Sequence, residues 1–352
     1  MSKIALIGDT HFGIRNDSPV FHEYFKRSLK YFFDYIDENK IQHIIHLGDL
    51  FDRRKFLSYL TASVCRKEFL DPIQERKLET HIIAGNHDQY FKDTYEVNAL
   101  DEIVTNRYSY IKTYNTPQQI NIDGLDIQLI PWINPKNHIQ SFDRIQNTQA
   151  QVLIGHLELN GFEMFRGMLS EHGLETHLFD RFDLVFSGHY HHKSSKNNIH
   201  YIGAFAEYTW ADYQDPRGFT ILDTQTRTFE FIQNPHSIFQ MIYYDDTKPI
   251  KIDYSKMKDT YVKVVCKNKT DQVKFDDFIE NLYDAKPVDI SIIEDSTLIE
   301  TSESEDVVDE AQDTSMILST YIKGLTLPVN NDRMITFMND IYKEALSTEH
   351  LT

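Results

Sequence analysis

Cysteine is nearly absent from this chain, with only Cys65 and Cys266 in 352 residues, far apart and without paired spacing. That excludes a disulfide framework and a thiolate metal site, and it points to a reducing compartment. Long apolar runs are also missing, so no membrane-spanning helix is expected. The opening run, Lys3 to Ile7, is too short and wrongly flanked for a signal peptide. A cytoplasmic protein without membrane association is the expectation. Basic residues are outnumbered, 36 Lys or Arg against 54 Asp or Glu, for a net charge of −18. Taken globally, that balance argues against nucleic acid as a partner. Half of it is local, however, because residues 294–313 hold nine Asp or Glu and no Lys or Arg. Bound cations would offset part of the remainder. Net charge therefore does not decide the partner.

Glycine is scarce as well, with 13 in the chain, and five of them share one context. Ile4-Ala5-Leu6-Ile7-Gly8 leads into Asp9, with His11 two residues on. Ile44-Ile45-His46-Leu47-Gly48 leads into Asp49, and Ile82-Ile83-Ala84-Gly85 into Asn86-His87-Asp88. Val152-Leu153-Ile154-Gly155 leads into His156, and Leu184-Val185-Phe186-Ser187-Gly188 into His189, with His191 two further on. Each apolar run is too short for an ordinary helix and reads as a buried strand. Each glycine permits close approach, and a candidate ligand follows it. In layered α/β sheets function gathers at the carboxyl ends of strands, where five such ends can converge on one spot.

With 41% hydrophobic and 13% aromatic residues, the chain is globular and long enough for a large core. Ser18-Pro19 reads as an N-cap and first helical position, and apolar residues from Val20 to Ile36 then recur at helical spacing. A strand from Gln42 to Leu47, a helix from about Ser58 to Arg76 and the strand before Gly85 complete a β-α-β-α-β alternation. Short strands follow from Tyr108 to Trp132, with Asp123-Gly124 as a hairpin turn. Ile199 to Ile202, Phe219 to Asp223 and Phe229 to Gln233 are expected to finish a second sheet. The expected fold is a four-layer α/β/β/α sandwich over residues 1–235. A small β-α-β accessory domain is expected over 236–293, then an acidic linker over 294–312. Two helices over 313–352 have apolar stripes but little core of their own, as suits docking on a partner.

The candidate ligands are Asp9, His11, Asp49, Asn86, His156, His189 and His191, a mixed oxygen and imidazole set that suits manganese, iron or zinc. Seven are too many for one tetrahedral ion and fit two ions sharing a carboxylate. Two metals about 3.5–4 Å apart can activate water and clamp a phosphoryl group. The two-residue spacing of His189 and His191 puts both rings on one side of an extended strand. The other histidines, His43, His46, His81, His138, His172, His177, His192, His200 and His236, read as hydrogen-bonded structure. Arg53, Arg54 and Lys55 are either a solvated cluster or phosphate contacts beside the site.

Asp9-x-His11, Gly48-Asp49, Gly85-Asn86-His87-Asp88, Gly155-His156 and Gly188-His189-x-His191 resemble, in order and spacing, the calcineurin-like metallophosphoesterases. Within them the chain looks like the nuclease subunits of SbcCD-type complexes, relatives of the Mre/Rad repair machinery. The runs His156 to Phe162 and Asp215-Pro216-Arg217-Gly218-Phe219 look nearest to the T-even-type phage members. The resemblance implies one metal on Asp9, His11, Asp49 and His191, and a second on Asp49, Asn86, His156 and His189. It implies that His87 assists the scissile phosphate and that Asp88 orients His87. It also implies two manganese ions, DNA as substrate, a DNA-contacting role for the accessory domain, an SMC-like coiled-coil ATPase on the terminal helices, and a homodimer. Asp52 stands where some relatives carry histidine, which bears on the balance of exonuclease and endonuclease action. The rivals are another phosphoesterase, acting on a small molecule or nucleotide, and a scaffold with a vestigial site.

Overall fold

The computed structural model describes residues 2–165, 168–249 and 251–294, with 322, 333–335 and 337–338 beyond them. The chain forms two compact units, Met1–Ser296 and Thr297–Thr352. The expected acidic linker and terminal helices lie outside the described residues, apart from Glu294 and those few later positions, which are helical.

Period-2 side-chain alternation builds the layers. The first sheet runs Phe229–Gln233, Gly218–Asp223, Lys3–Ile7, His43–His46, Glu79–Ile83, Ile111–Tyr114. The second runs Ser194–Lys196, Ile199–Tyr201, Leu184–Gly188, Val152–His156, Leu125–Ile130, Gln118–Ile122. Ile4 and Leu6 meet Ile45, Ile83, Val152, Ile154 and Phe186 between the two sheets. Their neighbours Ala5 and Ile7 turn instead toward helical residues such as Phe25, Phe32 and Phe33. On the far side, Leu153 and Val185 pack with Ile145 of the helix His138–Asn147. Strands buried on both faces explain why each run reads as continuously apolar. The result is the expected α/β/β/α sandwich.

Three local expectations differ from what is observed. Gly218–Asp223 and Phe229–Gln233 join the first sheet, not the second, and Gly218–Asp223 lies antiparallel to Lys3–Ile7. Otherwise Lys3–Ile7 would present an open edge, and the added strand buries Phe219 and Ile221 on one face and Leu222 on the other. Ser18 makes no side-chain cap to the helix Pro19–Glu38; that helix stands on its buried face of Phe21, Phe25, Leu29, Phe32 and Ile36. The next helix is interrupted: Tyr59–Cys65 and Asp71–Arg76 are joined through a wide π-type turn at Arg66–Leu70. Pro72 lacks an N–H and its ring would clash with a carbonyl one turn earlier, which a π bulge relieves. Ser58 does cap, its hydroxyl accepting from the Thr61 amide at 3.0 Å. Asp123 and Gly124 join a hairpin with φ of 48° and 88°, as the tight turn requires.

After Asn234 a three-stranded parallel sheet, Phe239–Asp245, Tyr261–Asn268 and Asp289–Ile293, is covered by the helix Gln272–Asp284. It has its own core of Tyr244, Val262, Val264, Phe275, Phe278 and Leu282. Phe239–Asp245 went unread in the sequence. Its start is tied to the sandwich by Glu207, whose carboxylate accepts from Ser237 Oγ at 2.8 Å and from the Ile238 and Phe239 amides at 2.8 and 3.1 Å. Burial pushes Glu207 up from 4.5 to about 7, against the pull of those hydrogen bonds. The folded state therefore keeps a proton that the unfolded state releases. This contribution to stability is present below about pH 4.5 and is lost as pH rises through about 7. Glu207→Gln is expected to remove about 2–3 kcal/mol of that pH dependence. Urea unfolding of both proteins at pH 5 and 7.5 reads it as a double difference, and equal differences would refute it.

No helix among the described residues is long and apolar enough to cross a membrane.

Candidate metal centre

The strands that lead into the five glycine motifs are parallel to one another within each sheet: Lys3–Ile7, His43–His46 and Glu79–Ile83 in the first, Val152–His156 and Leu184–Gly188 in the second. Their carboxyl ends meet across the inter-sheet core. His156 Nδ1 donates to the Leu47 carbonyl at 2.7 Å, and the His189 amide donates to Asp9 Oδ1 at 2.9 Å. The glycines are there for room. A Cβ on Gly85 would sit 2.0 Å from Asp49 Oδ1, and one on Gly188 would sit 2.8 Å from Asp9 Oδ2. Local backbone is strained as well. Asp9, His11, Asp49 and His189 have φ of 49°, 44°, 54° and 87°, a region that costs non-glycine residues of order 1–3 kcal/mol each. Bonds such as Asp9 N to Gly48 O at 3.0 Å and His11 N to Asp49 O at 3.1 Å hold it there and aim the side chains inward.

All seven sequence-derived ligand candidates come together, in overlapping groups. Asp9, His11 and His191 offer ligand atoms within 4.8 Å of one another, and so do His11, Asp49 and His87, and Asp49, His156 and His189. Asn86 Oδ1 lies between His156 Nε2 at 3.0 Å and His189 Nδ1 at 2.9 Å. His189 and His191 do not share one side of a strand, as their spacing implied. The strand ends at Gly188, and the left-handed turn at His189 sends the two rings to different groups. Asp49 stands between the groups, Oδ2 being 3.3 Å from His156 Nε2 and 3.8 Å from His11 Nε2.

These residues fit divalent ions. Asp9 Oδ2 is buried and accepts no hydrogen bond, and His11 Nε2 faces His191 Nε2 at 3.0 Å. Because His156 Nδ1 donates to a carbonyl, its Nε2 keeps the lone pair for a ligand. Charge follows the same logic. Burial pushes Asp9 up to about 7. Burial alone would lower His11, but Asp52, Asp49 and Asp9 outweigh it and hold it up to about 10. Burial would likewise lower His156, but Asp49 and Asp9 hold it up to about 9. The oxygens thus keep protons on neighbouring rings where divalent cations would supply the charge.

His87 adjoins the groups, its ring 4.9 Å from that of His11 and its amide 2.8 Å from Asp49 Oδ1. Its Nδ1 donates to the Asp52 carbonyl at 2.5 Å. Asp88 does not orient that ring. Its carboxylate accepts from the amides of Gly85, Leu50 and Phe51 at 2.9, 3.3 and 3.2 Å. Those three donors turn the carboxylate toward the backbone and fasten the two loops together. Among the histidines read as structural, His46 bonds Thr10 Oγ1 at 3.0 Å and His81 bonds the Tyr114 hydroxyl at 2.7 Å. Sequence reading missed Tyr208, whose hydroxyl donates to the Asp9 carbonyl and whose ring lies 5.4 Å from those of His11 and His191. One tyrosine among 20, it carries no spacing signal.

A calcineurin-like phosphoesterase family model matches residues 2–193. The chain is 33% identical over 349 residues to exonuclease subunit 1 of Enterobacteria phage T4, covering 97% of this chain and 99% of the relative. It is 24% identical over 257 residues to a subunit of the SbcCD nuclease of Staphylococcus epidermidis, covering 63% of this chain and 66% of the relative. A solved archaeal phosphodiesterase aligns with 66% of this chain and 99% of its own at a TM-score of 0.34 and 14% identity, too remote to bear on the assignment. A match over more than half of the chain, and a relative alike along almost all of it, lead to one conclusion: the chain belongs to the calcineurin-like phosphoesterase family and is a metal-dependent phosphoesterase.

Proposed function

We propose that this enzyme is a manganese-dependent DNA nuclease that hydrolyses phosphodiester bonds with two divalent ions. The observation that carries the two-metal reading is the position of Asp49, which shares one donor group with His156 and His189 and another with His11 and His87, while His11 also belongs to the group of Asp9 and His191. Asp9, His11, Asp49 and His191 would hold one ion, and Asp49, Asn86, His156 and His189 the other. When bound, the ions supply Lewis acidity, lowering the pKa of water and offsetting charge on phosphoryl oxygens. The remaining work falls to the chain. The Asp52 carbonyl holds the Nδ1 proton of His87, so the proton that His87 gives or takes is on Nε2. From there it would donate to the leaving oxygen or stabilise developing charge on the phosphate. Asp88 keeps the loops of Asp49 and His87 in register.

DNA as substrate is supported by relatives named as an exonuclease and a nuclease subunit. Arg53, Arg54 and Lys55 leave the site one residue after Asp52, where phosphates of a bound strand would pass. The unit beginning at Phe239 would contact the same DNA. Relatives named as subunits support a partner, and we assign this to an SMC-like ATPase bound through residues 313–352, acting with the nuclease in recombination, repair and replication. A homodimer belongs to the same reading, supported by Tyr59 and Leu60, which are 96% and 49% exposed at a helix start.

The test is cleavage of single- and double-stranded linear DNA with manganese, magnesium or EDTA, beside a generic phosphodiester. Manganese-dependent DNA cleavage abolished by EDTA is expected. Turnover of the generic ester with none of DNA, even with the ATPase added, would move the enzyme to another phosphoesterase class. Silence on both would favour a scaffold.

A further inference from the structure

We infer that Arg217 is a positioning residue for His191, an inference that rests on the metal reading above. His191 lies three residues beyond the end of its strand, past the left-handed turn at His189, so no sheet ladder fixes its backbone. Its carbonyl is held instead by two donors, the Ala204 amide at 3.0 Å and Nη1 of Arg217. Arg217 is only 4% exposed. Its guanidinium is gripped by Asp212 Oδ1 at 2.5 Å and Asp215 Oδ2 at 3.0 Å. Asp212 is fixed in turn by the amides of Tyr208 and Thr209, at 2.6 and 2.9 Å from its other oxygen. Tyr208 completes the path by donating its hydroxyl to the Asp9 carbonyl. One guanidinium thus ties the backbone that carries His191 to the backbone that carries Asp9, two members of one donor group. Outward, Asp215 Oδ2 is 2.9 Å from His192 Nδ1, whose Nε2 is 3.2 Å from Glu163 Oε2.

Stability does not explain the cluster. A buried arginine between two carboxylates carries a desolvation penalty that often exceeds its Coulombic gain, and apolar substitutes commonly hold such sites as well or better. What apolar groups cannot do is hold a carbonyl at a fixed point. Outer partners of metal ligands do that, and losing them typically weakens metal binding about 10–100-fold.

Manganese binding to the full chain, measured by titration calorimetry for wild type, Arg217→Lys and His192→Gln, tests this. Arg217→Lys keeps the charge but cannot span both carboxylates and the carbonyl. It is expected to melt near wild type, to bind one manganese about 10–100-fold more weakly, and to regain kcat at saturating manganese with KM for a phosphodiester little changed. A folded Arg217→Lys with wild-type affinity at both sites overturns the inference alone. Wild type that binds no manganese overturns the metal reading and this inference with it. His192→Gln, at the more exposed end of the run of contacts, is expected to weaken the same site by a smaller factor. If Arg217→Lys does not fold, unchanged affinity in His192→Gln overturns the inference.

Discussion

Asp49→Ala is expected to abolish hydrolysis and to remove tight binding of both metal ions. The carboxylate is within 3.8 Å of nitrogens from both donor groups, His156 and His11, and Oδ1 also accepts from the His87 amide. Burial opposes its charge, yet His156 and His87 hold it well below the usual carboxylate range, so it stays ionised as a ligand must. Removal would leave two cations sharing fewer oxygens in a buried site, and loss of activity beyond about 10³-fold follows if the ions supply most of the charge stabilisation. Calorimetry separates the outcomes. A variant that still binds two manganese ions with wild-type affinity would remove Asp49 from the bridging position. One that binds a single ion would show the two groups to be independent.

The second large effect is expected at His87. His87→Ala should keep both ions and melt near wild type while losing about 10²–10⁴-fold in kcat, the usual range for a positioned proton donor. The prediction is sharp because His87 also lies within ligand distance of His11 and Asp49. If His87→Ala loses a metal ion, His87 is a ligand and its catalytic role falls. If metals and kcat both survive, the ring is structural, and its bond to the Asp52 carbonyl is all that it does. Comparing leaving groups of different acidity adds a readout that metal loss would not mimic. Poor leaving groups should suffer most when the proton donor is gone.

The candidate donor set was legible because strand termination is a local matter. An apolar run, a glycine and a donor residue lie within a few positions of one another, and the chain repeats that arrangement five times. The same holds for the helix at Pro19–Glu38 and the hairpin at Asp123-Gly124, where spacing and turn residues are short-range signals. Tyr208 was not legible, since its hydroxyl meets Asp9 across 199 residues of sequence. Arg217 was noticed within its motif, but no spacing told that its guanidinium would reach the His191 carbonyl.

By itself, then, the sequence determined that buried parallel strands deliver oxygen and imidazole donors to one end of a four-layer sandwich. Alternation, glycine and residue chemistry act over a few bonds, and they needed no partner to be read. Only the tertiary structure decided how those donors are shared. The left-handed backbone at His189 parts it from His191, and such strained turns persist only where distant groups over-determine them. The Asp52 carbonyl, not Asp88, accepts from His87, while the Asp88 carboxylate is turned toward three amides from two loops. Gly218–Asp223 closes the first sheet and not the second because the open edge beside Lys3–Ile7 accepts it. Each of these choices is a competition among partners far apart in the chain, and it exists only once the sheets have packed.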